Sequence, residues 1–125
     1  MDKTFVMEIA NTIRQQIIAG VGANVFFSWG VSKMIATEFK GMASLILKVN
    51  GRVHKGDVIV AYNEGIDYYE IYLGKKNEEP KQIATDVDFT QLGDIIDRHI
   101  EAGDNYDEYV EFVKGERAKL MSGQI

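Results

Sequence analysis

The chain has 125 residues, of which 46% are hydrophobic and 26% are charged, a composition typical of a globular protein. A chain of this size can bury roughly two thirds of the surface that it exposes when unfolded, so we expect one domain over residues 1–125. The absence of cysteine excludes disulfides and sulfur-ligated zinc sites. Because the sequence contains neither a signal peptide nor an apolar run of membrane-spanning length, we expect a cytoplasmic protein without membrane contact.

The net charge of −5 is unevenly distributed along the chain. Residues 1–76 hold 9 Lys and Arg against 7 Asp and Glu, a net charge of +2. Residues 77–125 hold 5 against 12, a net charge of −7. This asymmetry influences which partners approach each half, although it does not determine the fold.

The N-terminal segment predicts an amphipathic helix. Apolar residues recur at three- and four-residue spacing over residues 5–17, with polar residues opposite. Asp2 or Thr4 can cap the first turn by accepting backbone N–H groups. Gly20 or Gly22 can adopt the left-handed conformation that ends a helix.

Short segments rich in β-branched and aromatic residues follow, separated by glycines, and they predict strands. The connections are too short for parallel pairing, so we expect antiparallel neighbours. Asn50-Gly51 suits a tight two-residue turn, although residues 50–56 can instead form one longer loop. Gly65 suits a three-residue turn with a bulge. The five predicted strands are 24–29, 32–39, 43–53, 57–63 and 67–73.

Alternation along these strands assigns their side chains to two faces. We expect one face to meet the helices; it carries Leu45, Leu47, Val49, Val58, Val60, Tyr62, Tyr69, Ile71 and Leu73. The opposite face is less polar than a water-exposed sheet face should be, which suggests that a helix or another chain covers it. A homo-oligomer would provide such a cover. The candidate interaction surface on this face consists of Ile46, Ile59, Tyr68 and Tyr72.

The C-terminal part predicts a loop and two helices. Residues 75–85 combine charge with the only proline and are interpreted as a surface loop. Asp88 and Gln91 have the spacing of a capping box, and a second helix is expected to begin near Asp104. The apolar stripe of the first helix is Phe89, Leu92, Ile96 and Ile100. The predicted fold is therefore α+β, with the order α-β-β-β-β-β-α-α.

The hydrophobic and turn pattern of residues 45–51, 56–60 and 63–71 resembles that of small uncharacterised proteins of bacteriophages and other bacterial mobile elements. Those proteins also begin with an isoleucine-rich helix. The resemblance extends over residues 8–73 and can include the helix around residues 91–100. It implies a mobile-element context, and it brings no activity, cofactor or functional residue with it.

The sequence contains partial matches to familiar catalytic and cofactor-binding motifs, but none of them is complete. The glycines of residues 20–25 follow a predicted helix and precede a strand, the reverse of a dinucleotide-binding loop, so they indicate a helix end. His54 and His99 stand apart in different elements, which makes a histidine metal site improbable. Gly74-Lys75 lacks the remaining residues of a phosphate-binding loop, and no serine occupies a nucleophile elbow. We therefore predict neither a metal nor another cofactor.

Two charged clusters offer alternative functions. Lys48, Arg52, His54 and Lys55 concentrate positive charge around one hairpin, which could contact an acidic partner or nucleic-acid phosphates, or could serve solubility alone. An acidic cluster follows in the second C-terminal helix. It could be a water-exposed face, bind divalent cations, or mimic nucleic-acid phosphates and occupy a DNA-binding protein. Its members are Asp104, Asp107, Glu108 and Glu111.

The main hypothesis is a non-catalytic binding or assembly domain that contacts an unidentified protein through its sheet face or its basic hairpin. The alternative is an enzyme whose site is assembled from scattered residues such as His54, Glu70 and the exposed tyrosines. A deep pocket with several ionisable groups of mutually shifted pKa would favour the enzyme. A flat apolar or singly charged patch would favour binding.

Overall fold

The computed structural model describes residues 1–102 of the chain. Its first element is the predicted helix α1, Lys3–Val21. The Oδ1 atom of Asp2 accepts a 3.0 Å hydrogen bond from the backbone N–H of Thr4, which confirms Asp2 as the N-terminal cap. Gly22 follows with a φ of 87°, a left-handed backbone angle that ends the helix.

A second helix, α2, spans Ala23–Ser28, so the strand predicted for residues 24–29 is wrong. The β-branched and aromatic composition of this segment resembles that of a strand. Its buried residues, however, are Val25, Phe26 and Trp29, a helical spacing rather than an alternating one. Packing decides the outcome, because this spacing lets Phe26 and Trp29 meet edge to face in the core, with ring centroids 5.6 Å apart.

Within residues 1–102, five antiparallel strands form one sheet, and their spatial order is their order in the sequence. This arrangement confirms the predicted α+β fold. The first and the last strand form the two edges of the sheet. The strands are β1 (Lys33–Phe39), β2 (Met42–Asn50), β3 (Lys55–Asn63), β4 (Tyr68–Gly74) and β5 (Lys81–Val87).

Strand β5 occupies residues that were predicted to form part of a surface loop, so that prediction is wrong from Lys81 onwards. An edge strand pairs on one side only and tolerates polar side chains on its free side, which explains the low hydrophobicity of the segment. Ile83 and Ala84 are partly buried against the core, and Val87 is fully buried. The count of five strands is preserved because this strand replaces the one predicted at residues 24–29.

The connections between strands differ in part from the predicted turns. The β1–β2 turn consists of Lys40 and Gly41, both with positive φ. The β2–β3 connection is the longer of the two predicted alternatives, because the strands end at Asn50 and resume at Lys55. In the β3–β4 turn the left-handed residue is Asp67, with a φ of 57°, and not Gly65 as predicted.

The core lies between the helices and one face of the sheet. The face predicted to meet the helices does so, because its central residues Leu47, Val58, Val60 and Ile71 are completely buried. Tyr62 and Leu73 are partly buried against the same core. The prediction of which face is covered is therefore confirmed.

The chain then forms helix α3, Leu92–Asp97, followed by a π-helical turn, Arg98–Ala102. The predicted capping box is only half formed: the backbone N–H of Asp88 donates to Gln91 Oε1 at 3.1 Å, but Asp88 Oδ1 accepts from the backbone N–H of Thr90, and the helix is capped at Gln91. Phe89 was predicted to join the buried stripe and is exposed instead, because it precedes the helix. The predicted second C-terminal helix and the acidic cluster at residues 104–111 lie outside the described residues.

Candidate binding surfaces

The β2–β3 loop, residues 51–54, carries part of the predicted basic cluster and is held against the π-helical turn. The backbone N–H groups of Val53 and His54 donate to the carbonyl oxygen of Ile100, at 2.6 and 3.3 Å. Gly51 is required at this contact, because a Cβ atom there would overlap the Cγ2 atom of Ile100. The loop therefore has a fixed position relative to the C-terminal helix.

The structure places an acidic group beside one of the two lysines of this cluster. Lys48 Nζ lies 3.0 Å from Asp57 Oδ1, across the β2–β3 pair. Lys55 is exposed at the start of β3. The attraction of Lys48 for a negatively charged partner is therefore partly compensated within the protein.

The arginine and the histidine of the cluster are similarly engaged. The side-chain Nε of Arg52 donates to the backbone carbonyl of Glu101 at 2.7 Å, and the backbone N–H of Arg52 donates to Glu101 Oε1 at 3.3 Å. His54 is buried, and its Nε2 atom lies 3.2 Å from the carbonyl oxygen of Asp57. These contacts stabilise the loop and leave less of the cluster free for a partner.

A buried polar cluster that was not predicted from the sequence lies next to this loop. The indole N–H of Trp29 donates to Asp97 Oδ1 at 2.9 Å, and both residues are buried. Glu101 lies one helical turn after Asp97 and is also buried. Burial raises the pKa of Glu101, the hydrogen bond from the Arg52 N–H lowers it, and the charge of Asp97 raises it. The cluster joins α2, α3 and the loop. The i, i+4 spacing of the two carboxylates was the available sequence signal, although it does not reveal burial.

The outer face of the sheet carries the predicted interaction surface. Ile59 and Tyr72 are buried and Ile46 is partly buried, whereas Tyr68 is 43% exposed. The rings of Phe39 and Tyr72 meet edge to face, with centroids 4.8 Å apart. Of the four predicted surface residues, only Tyr68 therefore offers a large exposed area to a partner.

The two residues named for the enzyme alternative, His54 and Glu70, are not brought together. Glu70 pairs with Ala61, which lies seven residues along the chain from His54. At about 3.3 Å per residue this corresponds to roughly 23 Å. Glu70 Oε1 instead accepts a 2.6 Å hydrogen bond from the hydroxyl group of Tyr72. Burial and this hydrogen bond raise the pKa of Tyr72 to about 12, so the phenol remains protonated near neutral pH.

A groove between α1 and β1 was missed by the sequence analysis. It has two adjoining parts, of about 350 and 420 Å³, which share Met7 and Ala36. The start of α1 lies beside Glu38, and Arg14 lies beside Met34 at the other end. We refer to it as the α1/β1 groove.

Exposed methionines line this groove. Met1, Met7 and Met34 are 55%, 52% and 46% exposed. Long, unbranched methionine side chains adapt to varied apolar partners and are frequent at binding surfaces. Met7 interrupts the otherwise polar face of α1. It was the sequence signal that could have indicated the groove.

The charges at the groove are predominantly positive. Lys3 and Arg14 line it from α1, and Glu38 lines it from β1. The α-amino group of Met1 lies 3.7 Å from the carboxylate of Glu38 and compensates its charge. The groove is therefore complementary to a segment that carries negative charge.

Strand β1 borders the groove and has a paired neighbour on one side only within residues 1–102. It pairs with β2 through seven consecutive residues without a register shift. The other edge strand, β5, has register shifts opposite β4 and a positive φ at Asp86. Bulges discourage strand pairing at a sheet edge. Of the two edges, β1 is therefore the one suited to accept a further strand.

The described residues contain no group of three or more His, Asp or Glu side chains positioned to hold a metal ion. Within the same part of the chain, no helix combines the length and apolar character needed to cross a membrane. No protein-family model matches the sequence, and no significant similarity to a curated protein or a solved structure was found. The functional conclusion therefore relies on the geometry of the surfaces.

Proposed function

We propose that this protein is a binding domain that adds an extended, acidic segment of a partner protein to strand β1. The observation that supports this proposal most strongly is the regular edge of β1 beside the α1/β1 groove. Strand addition obtains affinity from backbone hydrogen bonds and specificity from pockets for alternate side chains. The edge and the groove supply these two components.

The side chains of an added strand would alternate between the two faces of the sheet. Those on the helix side would enter the groove and contact Met7 and Met34. Acidic side chains of the segment would be attracted by Lys3 and Arg14. An extended acidic segment with alternate apolar residues therefore fits the groove in shape, polarity and charge.

This proposal retains the binding domain expected from the sequence and changes the surface. Tyr68 is the only largely exposed member of the predicted sheet-face surface. Lys48 and Arg52 already contact Asp57 and Glu101. The α1/β1 groove combines exposed apolar side chains with the positive charges of Lys3 and Arg14, which form no salt bridge within residues 1–102, so it is the better candidate.

The test is a selection of short random peptides, matched to β1 in length, on the immobilised protein. Selected peptides are then titrated by fluorescence anisotropy against wild type, Met7→Glu/Met34→Glu and the control Ile66→Glu. Ile66 is exposed in the β3–β4 turn, away from the groove. The groove variant loses apolar contacts and gains negative charge, so we expect its affinity to fall at least about tenfold, equivalent to about 1.4 kcal/mol. The control should bind like wild type.

Three results would contradict the proposal. The first is a selection that yields no binding peptide. The second is equal binding by wild type and the Met7→Glu/Met34→Glu variant. The third is a wild-type dimer that the Met34→Glu substitution dissociates, because the edge of β1 would then belong to a second copy of the chain.

A further inference from the structure

Arg14 is chemically unusual among the groove residues. Its Nε atom is buried, and the structure gives it no hydrogen-bond partner in the described part of the chain. An unsatisfied buried donor is destabilising, and more so when the group is charged. Because Nε is buried, an acceptor from outside the protein reaches it only when the guanidinium group turns toward the groove, and such an acceptor would then satisfy this donor.

Arg52 provides an internal comparison. Its Nε donates to the carbonyl oxygen of Glu101 at 2.7 Å, so the fold satisfies this guanidinium locally. Arg14, by contrast, lies in the wall of the α1/β1 groove beside Met34 and Ile35. The guanidinium Nε is therefore hydrogen-bonded within the fold at Arg52, whereas at Arg14 it is buried beside the groove without an acceptor among residues 1–102.

We propose that Arg14 recognises a carboxylate near the C-terminal end of the bound segment. The guanidinium group presents Nε–H and a terminal N–H side by side, a geometry that matches the two oxygens of a carboxylate. This inference rests on the proposed function, since it presupposes a segment added to β1. It makes Arg14 the residue that determines specificity within the groove.

We take the added segment to pair antiparallel with β1, as the described strands of this sheet pair with one another. Arg14 lies beside Met34, near the start of β1, whereas Glu38 lies at the far end of the groove. A segment that pairs antiparallel with β1 ends where β1 begins, which brings its C-terminal residues to Arg14. The carboxylate belongs either to the chain terminus or to an acidic side chain next to it, and the chemistry of recognition is the same.

The test is a double-mutant cycle between the protein and the selected peptide. The peptide is synthesised in four forms: unchanged, with a C-terminal amide, with acidic side chains replaced by their amides, and with both changes. The protein variants are Arg14→Gln and Lys3→Gln, which remove the same charge from the same groove. Chemical denaturation of each variant confirms that it is folded.

We expect Arg14→Gln to weaken binding of the unchanged peptide at least about tenfold and Lys3→Gln to weaken it only about twofold. In the Arg14→Gln protein, converting the recognised carboxylate to an amide should have almost no further effect. Against the wild-type protein, one amide form of the peptide should lose as much affinity as the Arg14→Gln substitution causes. That form shows whether the bound carboxylate is the chain terminus or a side chain. Either answer supports the inference.

The inference about Arg14 would be overturned if Arg14→Gln and Lys3→Gln weakened binding equally. It would also be overturned if converting the peptide carboxylate to an amide still weakened binding to the Arg14→Gln protein. In both cases the loss of binding in Met7→Glu/Met34→Glu would still support strand addition, so only the role of Arg14 would fail. A peptide that binds equally to that groove variant and to wild type would instead overturn the proposed function.

Discussion

Replacing Gly93 with alanine tests how closely α3 packs on α1. Gly93 is buried in α3, and a Cβ atom there would overlap Cγ1 of Val21 and lie 3.4 Å from its Cβ. Val21 is itself buried, and its β-branched side chain has little freedom to rotate in a helix. The added methyl group therefore cannot be accommodated by a simple side-chain rotation.

The expected magnitude combines two opposing effects. Alanine is a better helix former than glycine by about 1 kcal/mol, and this favours the variant. Overpacking in a filled core typically costs about 1–3 kcal/mol, and this opposes it. Taking about 2 kcal/mol for the overlap with Val21, we expect Gly93→Ala to lower the free energy of unfolding by about 1 kcal/mol.

The matched control is Gly20→Ala near the end of α1, where nothing lies within 4 Å of the added Cβ. This substitution should raise the free energy of unfolding by up to about 1 kcal/mol. Urea denaturation followed by the fluorescence of Trp29, the only tryptophan, measures both variants. In a Val21→Ala background the Gly93→Ala substitution should become neutral or stabilising. If Gly93→Ala stabilises the protein as much as Gly20→Ala does, the close contact between α1 and α3 is wrong.

Three further predictions concern the polar contacts. Asp97→Ala leaves the buried indole N–H of Trp29 without this acceptor and should destabilise the fold by about 2 kcal/mol in urea denaturation, more than Asp97→Asn. Because the pKa of Glu101 is raised by folding, its ionisation opposes folding as pH rises through the unfolded-state pKa. The stability of Glu101→Gln relative to wild type should therefore increase between about pH 4 and pH 7; a constant difference would contradict this. The hydrogen bond to Asp67 raises the pKa of Tyr62 to about 12, so NMR of labelled tyrosine should show Tyr62 ionising at lower pH in Asp67→Asn.

Features that depend on local pattern could be predicted from the sequence. The alternation of residues 45–49 identifies the face of the sheet that meets the helices, because a strand that is buried on one face repeats every second residue. Asp2 and Gly22 mark the limits of α1 because capping and left-handed backbone geometry require few residue types. These signals are read within one element and need no knowledge of its neighbours.

Features that depend on distant contacts could not be predicted. Residues 24–29 have a strand-like composition, yet Trp29 is fixed by Asp97, which lies 68 residues further along the chain. Strand β5 appears too polar for a strand because it pairs on one side only. The α1/β1 groove exists because α1 lies beside β1, a placement that no periodicity reveals.

The same reasoning explains the outcome for the predicted basic cluster. Its residues are close together as expected, but Lys48 faces Asp57 across the strand pair, and Arg52 contacts Glu101 of the π-helical turn. The second contact joins residues 49 positions apart. A count of local charges therefore overstates the positive charge that the cluster presents.

The most direct test of strand addition is backbone amide hydrogen exchange, measured by NMR on the labelled protein with and without a saturating selected peptide. Strand addition predicts that the outward-facing amides of β1, Lys33–Phe39, exchange more slowly in the complex and that the methyl signals of Met7 and Met34 shift. Slower exchange confined to β5 or to the β2–β3 loop, with β1 unchanged, would contradict it.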